Sequence, residues 1–482
     1  MTYPRHQIVT PDEPGYFHVV TRCVRRAFLC GSDKLSGRNF DHRRQWIEDR
    51  IRLLADSFAV SVFSYAVMSN HTHIVLHVDP DQIASWTDEE VARRWLAAFP
   101  GEFRDRHDLR NLSQLIEEFS YLVKARFSES LSWSHWHNLA MTYPRSQIVA
   151  EGEAGFFHVV TRCVRRAFLC GRDKLTGQCF EHRRQWIEAR ILELAECFSV
   201  SVYAYSVMSN HYHVVLHVDP QAVLAMSDAE VARCWLKAFP GRLKDDDSPE
   251  TAERLVLAIT GNPERLTELR KRLGSLSWFM KALNEPIARR ANREDGCKGK
   301  FWESRYKCQA LLEDHAVLSC MAYVDLNPAR AAMCDTLDES DHTTIQRRLR
   351  ERGQLTKRRL AGKNLVDRPL KPVAGLDAEE LLDMTESSYI ELVQWTGEQA
   401  RSDKRGRLKP LTNDKRAAPA DIWQIANHPK EWLRQVQGTE SVYYRAIGSA
   451  EALMAKAEAL GQAWMKGVAS EVAKKFLRER PT

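Results

Sequence analysis

The feature that most constrains this chain is an internal repeat. Met1-Thr2-Tyr3-Pro4-Arg5 returns as Met141-Thr142-Tyr143-Pro144-Arg145. The copies run in register, without a gap, to Phe99-Pro100-Gly101 and Phe239-Pro240-Gly241, and roughly two thirds of aligned positions are identical. So long a period is not a solenoid unit and reads as a duplicated domain. The second copy opens with methionine, as an independent protein would, so a fusion of tandem genes is the simplest origin. After Gly101 the copies diverge. The first continues only to Ala140, through an expected helix from Leu112 to Phe127.

Each copy has the same local order. In the second, Phe157–Val164 reads as a strand and Glu181–Phe198 as a helix with Trp186, Ile187, Ile191, Leu194 and Ala195 on one face. Val200–Met208 and His211–Val218 read as two further strands around a short turn at Ser209-Asn210. Ser227-Asp228-Ala229-Glu230 resembles a capping box that opens another helix. Strand, helix, hairpin, helix predicts an antiparallel sheet with helices on one face, the α+β arrangement. Further on, Arg265–Leu273 and Leu276–Arg293 are helical in pattern, and Phe301–Leu311 is a strand or extended arm. Asp314–Leu326 is a helix stopped by Asn327-Pro328. The first copy lacks a counterpart of this last helix. From about Ser340 the composition turns basic, with Arg347, Arg348, Arg350, Arg352, Lys357, Arg358, Arg359 and Lys363 in one stretch and Lys404, Arg405, Arg407 and Lys409 in another. Three domains are expected: a truncated first copy over 1–140, a complete one over 141–335, and a basic helical accessory region over 336–482.

Composition narrows the class. A 44% apolar and 28% charged chain is ordinary for a globular protein. It contains no long apolar run and no positive-then-apolar amino terminus, so neither a membrane span nor a secretory signal is expected. Eleven scattered cysteines without Cys-x-x-Cys spacing fit free thiols in a reducing cytoplasm.

The chemistry gathers at Ser209-Asn210-His211-Tyr212-His213, repeated as Ser69-Asn70-His71-Thr72-His73. On a strand, side chains alternate, so His211 and His213 share a face and lie about 7 Å apart. Such a pair can grip one metal ion if a third group arrives from elsewhere. The helix Met321-Ala322-Tyr323-Val324-Asp325-Leu326-Asn327-Pro328 offers Tyr323 and Asn327, four apart and so on one helix face. A tyrosine hydroxyl is a nucleophile once its electrophile is activated, and a divalent metal on a phosphate oxygen does that. Asn327 carries an amide oxygen that could complete the histidine pair as a third ligand. The bland alternatives are a solvent-facing His-x-His, a half-buried helix tyrosine and an asparagine that ends its helix. His158, on the first strand, is either a sheet hydrogen-bonding group or a support for the site.

Taken together, Ser-Asn-His-x-His before an apolar strand, Phe301-Trp302-Glu303-Ser304-Arg305-Tyr306, and Tyr-x-x-x-Asn-Pro resemble the single-tyrosine HUH transposases, most of all the REP-associated tyrosine transposases. The resemblance covers roughly residues 141–335, and 1–101 without a nucleophile. It implies a ferredoxin-like palm and Mg²⁺ or Mn²⁺ as cofactor. It implies cleavage of single-stranded DNA beside hairpins, through a 5′-phosphotyrosine intermediate with a free 3′-hydroxyl. Carried over, Tyr323 is the nucleophile, and His211, His213 and Asn327 are the metal ligands.

Single-stranded or hairpin DNA is the expected partner. Arg162, Arg165 and Arg166 leave the first strand, with Arg22, Arg25 and Arg26 as copies, and Lys298, Lys300, Arg305 and Lys307 interleave with Phe301, Trp302 and Tyr306. Cations among aromatics suit an anionic backbone with stackable bases. His71 and His73 mark a second, incomplete site, because Ala125 rather than a ligand follows Tyr121 by four. The first copy is then a DNA-binding or pseudo-dimer module, and a homodimer is the other way to pair two sites. The alternative functions are a non-cleaving hairpin-DNA-binding protein and a nuclease that uses metal-bound water.

Overall fold

The computed structural model describes residues 13–23, 29–32, 37–99, 148, 152–164, 169–172, 177–241, 248–353, 367–376, 381, 383–399, 401, 404–411, 417–426, 428–443, 445–462 and 464–470. The chain forms two compact units, Met1–Pro144 and Arg145–Thr482. Both are α+β. The expected helix over Leu112–Phe127 lies outside the described residues, as do Arg25, Arg26, Arg165, Arg166 and the basic residues from Lys357 to Lys363.

The first unit contains β1 (Gly15–Arg22), α1 (His42–Ser57), β2 (Val60–Val67), β3 (His71–Val78) and α2 (Asp88–Ala98). Its sheet is antiparallel in the order β1-β3-β2.

The second unit opens with the same elements: β4 (Gly155–Arg162), α3 (His182–Ala195), β5 (Val200–Val207), β6 (His211–Val218) and α4 (Asp228–Ala238). Register is also repeated. Gly15 pairs with Val78 as Gly155 pairs with Val218, and a bulge interrupts both Val62/Ser64 and Val202/Ala204. The Ser227–Glu230 capping box forms in full at the start of α4, a device that contributes about 1 kcal/mol.

The second unit then continues through α5 (Pro249–Thr260), α6 (Pro263–Leu273), α7 (Leu276–Glu294), β7 (Lys307–Leu311), α8 (Asp314–Asp325), α9 (Asn327–Arg330), α10 (Thr344–Glu351), α11 (Glu386–Glu398), α12 (Pro429–Ser441), β8 (Ala446–Ile447) and α13 (Ala450–Ala459). The sheet order is β5-β6-β4-β7-β8, antiparallel except for the parallel β7–β8 pair. Asn327-Pro328 ends α8 as expected, and a further turn, α9, follows at once.

Two details depart from the sequence expectation. Helices cover both faces of this sheet, not one. Tyr212 hydrogen-bonds Asn284 of α7, while its neighbour His213, which points the opposite way, meets Tyr323 of α8. The reason lies in β5, Val-Ser-Val-Tyr-Ala-Tyr-Ser-Val, where every residue is buried. A strand apolar on both faces requires cover on both. Residues 336–482 also join the same unit as the sheet, and they close its two edges. β8 adds to β7. On the other edge Val202 pairs with Ala374 and Ser206 with Thr343. The Thr344 hydroxyl accepts from the Tyr205 N–H and donates to the Tyr205 carbonyl at 3.1 Å. Gly375 (φ +102°) lets the segment at Ala374 come this close to β5, because a Cβ there would stand 2.0 Å from the Val200 oxygen.

The near-identical strands of the two units therefore end in different surroundings. Tyr205 is fully buried, whereas Tyr65 at the same sheet position is 37% exposed. Among the described residues, the first unit has no helix or strand after Ala98 to cover that face.

Candidate active site

The site of the second unit lies on the β4–β6 pair beneath α8. Alternation on β6 sends His211 and His213 to one face, with their rings 4.9 Å apart and edge-on. α8 runs over this face, and its Tyr323 stands edge-on to the His213 ring at 5.7 Å and to the His158 ring at 6.1 Å. A late helix and a distant hairpin thus meet at one point.

Each histidine is held through its Nδ1. His211 Nδ1 lies 2.6 Å from Asn210 Oδ1. His213 Nδ1 lies 2.9 Å from His158 Nε2, with the two rings stacked. His158 Nδ1 in turn lies 2.8 Å from Gln309 Oε1 on β7. His213 Nε2 is buried and has no hydrogen-bond partner among the described residues. Burial is the main cause that holds all three rings below the usual histidine range, to about 4 for His158 and His211 and well below for His213. Arg162, register partner of His211 across the ladder, adds to the effect on His211. Neutral imidazoles keep a lone pair, which is what a metal ligand needs.

Asn327 is half-buried one turn beyond Tyr323, where α8 passes into α9. Its Nδ2 is buried without a hydrogen-bond partner among the described residues. The two amide heads have the same shape, so a half-turn puts Oδ1 where Nδ2 stands. Among the described residues no group of three His, Cys, Asp or Glu side chains is arranged to hold a metal. His158 has both ring nitrogens engaged, on Gln309 and on His213, so it offers no atom to an ion. A donor set of two imidazole nitrogens and one asparagine oxygen would leave a divalent ion positions for water and a phosphate.

The basic candidates sit at one end of the sheet. Val164 N donates to the Phe301 carbonyl and Glu303 N to the Arg162 carbonyl, so residues 301–303 extend the ladder beside Arg162 and His211. Arg162, Lys298, Lys300 and Arg305 are exposed. Trp302 is half-buried: its indole N–H donates to the Asn284 carbonyl at 2.9 Å, and its ring packs edge-on against Tyr212. It thus braces the far side of the histidine strand.

In the first unit His71 and His73 take the same ring arrangement, 4.8 Å apart, and His18 lies 2.9 Å from His73. No described helix brings a tyrosine to them, and Tyr121 lies outside the described residues. Gln309 is the residue the motifs did not reveal. Its part depends on the register of β7 against β4, which no local pattern encodes.

No family model matches this chain, and no curated protein matches it. Among solved structures, the chain is similar to a REP-associated tyrosine transposase bound to a REP hairpin, at 13% identity and a TM-score of 0.24. That match covers 47% of this chain and 99% of the other. Among the described residues no helix is long and apolar enough to cross a membrane. All eleven cysteines are free thiols.

Proposed function

We propose that this chain is a metal-dependent enzyme of DNA transposition that cuts and rejoins single-stranded DNA, with Tyr323 as nucleophile. The observation that carries the reading is the meeting of Tyr323 with His213, whose ring lies 4.9 Å from that of His211 and whose buried Nε2 lacks any partner among the described residues. We read both sheets as copies of one HUH palm, the second complete and the first lacking its nucleophile. His211 and His213, through Nε2, and Asn327, through Oδ1, would hold Mg²⁺ or Mn²⁺. When bound, the ion supplies positive charge to the phosphate oxygens as phosphorus is attacked.

The chain's own residues do the rest. Tyr323 gives up its phenolic proton and its oxygen bonds to phosphorus. The bond from phosphorus to O3′ breaks, and O3′ leaves with a proton as a free hydroxyl. The 5′-phosphate stays on Tyr323 until another 3′-hydroxyl attacks it and the phenol is released. α8 stands Tyr323 edge-on to the His213 ring, so a phosphate held by the histidine pair would need little reorganisation to meet the phenol. Arg162, Lys298, Lys300 and Arg305 would carry the DNA backbone.

The test is covalent trapping of the full chain on single-stranded hairpin DNA with Mn²⁺. A protein–DNA adduct that vanishes in Tyr323→Phe and in the His211→Ala/His213→Ala double variant is expected. Cleavage without an adduct would assign the chemistry to water. Tight binding without cleavage would make the chain a hairpin-binding protein. Loss of the adduct on replacing His71 and His73, with His211 and His213 dispensable, would move the active site to the first unit.

A further inference from the structure

We infer that Gln309 and His158 form a hydrogen-bond relay that sets the tautomer of His213 and reserves its Nε2 as a lone-pair donor; the inference rests on His213 being a metal ligand. Three adjacent strands carry the relay. Gln309 on β7 is the register partner of His158 on β4, and His158 sits diagonally across the ladder from His213 on β6. The two contacts are 2.8 and 2.9 Å, both of hydrogen-bond length.

The logic follows from donor counting. A carboxamide oxygen only accepts, so His158 Nδ1 carries the hydrogen that meets Gln309 Oε1. A neutral imidazole has one N–H, so His158 Nε2 is an acceptor. His213 Nδ1 must then be the donor between the two rings, and its Nε2 is left with a lone pair and no hydrogen. That is the atom found buried and without a partner. The reversed amide would invert every step and leave an N–H on Nε2, which cannot bind a metal. His211 reaches the same end by a separate route, because its Nδ1 meets Asn210 Oδ1. A hydrogen bond to the outer nitrogen of a ligating histidine fixes both its ring orientation and its basicity.

The first unit supplies an internal contrast. His18 and His73 repeat the inner pair at 2.9 Å, but β1 is the edge of its sheet. No described strand lies where β7 does, so among the described residues no glutamine on that side directs the proton. His158 and Gln309 are therefore positioning residues of the second unit.

The experiment uses the metal-free full chain labelled with ¹⁵N-histidine, read by long-range ¹H–¹⁵N correlation, and Mn²⁺ affinity by electron paramagnetic resonance. The wild type should show His213 as the Nδ1–H tautomer. Gln309→Glu, an acceptor only, should keep that tautomer. Gln309→Met should mix the tautomers and weaken Mn²⁺ binding about 10-fold or more. An Nε2–H tautomer for wild-type His213 overturns the relay, and so does a Gln309→Met variant unchanged in both readouts. If Gln309→Met does not fold, the wild type and Gln309→Glu decide. The expected tautomer in a wild type that binds no Mn²⁺ would support the relay and refute the metal reading.

Discussion

Tyr389→Phe tests how α8 is held in place. Asp325 lies on α8 between Tyr323 and Asn327 and is 1% exposed. Its carboxylate accepts from the Tyr389 hydroxyl at 2.6 Å and from the Ile345 N–H at 3.0 Å. α10 and α11 thus grip the helix that carries the proposed nucleophile. Burial pushes the Asp325 carboxyl up to about 7, against the lowering effects of Tyr389 and Arg348. At pH 5 the folded chain therefore holds Asp325 protonated, whereas in the unfolded chain it is largely ionised. Stability from this group is present below its ordinary pKa and is lost as pH rises through 7.

The Tyr389 hydroxyl works against that loss, because it favours the ionised form. Removing it should cost about 1 kcal/mol at pH 5, where the bond is between neutral groups, and about 1.5–3 kcal/mol at pH 8.5, where the acceptor is charged. The side chain is fully buried, and the change removes a single oxygen, so cavity terms stay small. Urea-dependent hydrogen exchange, followed on α8 peptides by mass spectrometry, reads the local cost at both pH values. A cost below about 0.5 kcal/mol at both, or a larger cost at pH 5 than at pH 8.5, would refute the reasoning.

Three further substitutions follow from contacts on α3, on α1 and beside α9. Arg183→Met removes a fully buried guanidinium that pairs with Glu294 at 2.7 Å and with Asp295; Glu294 stays in contact with water, so about 1.5–3 kcal/mol should be lost in thermal or urea unfolding. Arg43→Met, at the matching place on α1 where the arginine stacks on Phe40, should cost less than about 1 kcal/mol. Equal costs would contradict the unequal burial of the two units. Gly406→Ala puts a Cβ 2.0 Å from the Ala329 oxygen and 2.7 Å from the Ala332 nitrogen. α9 must shift, so about 1–3 kcal/mol of stability should be lost, together with DNA adduct yield, since α9 begins at Asn327. An unchanged melting temperature and adduct yield would count against that packing.

The strands and most helices were legible because their causes are local. His211–Val218 carries an apolar, β-branched run, Ser227 and Glu230 cap each other, and Asn327-Pro328 stops a helix. The pairing of His211 with His213 on one face follows from strand periodicity alone. So does the sharing of a helix face by Tyr323 and Asn327. The partition of residues 336–482 was less legible. Their basic, helical pattern says nothing of β8, nor of the threonine that closes the β5 edge, because edge pairing depends on what the rest of the sheet leaves open.

The sequence by itself determined which residue types stand on which local face, and that one stretch of it is written twice. Tertiary structure decided what those faces meet. Among the described residues the same strand motif is covered by α8 in one unit and left partly bare in the other, so of the described pairs His213 with His211 has a tyrosine beside it and His73 with His71 has none. It also decided that Gln309, His158 and His213 form a row, because register across three strands is set by the packing of the whole sheet rather than by any neighbour in the chain.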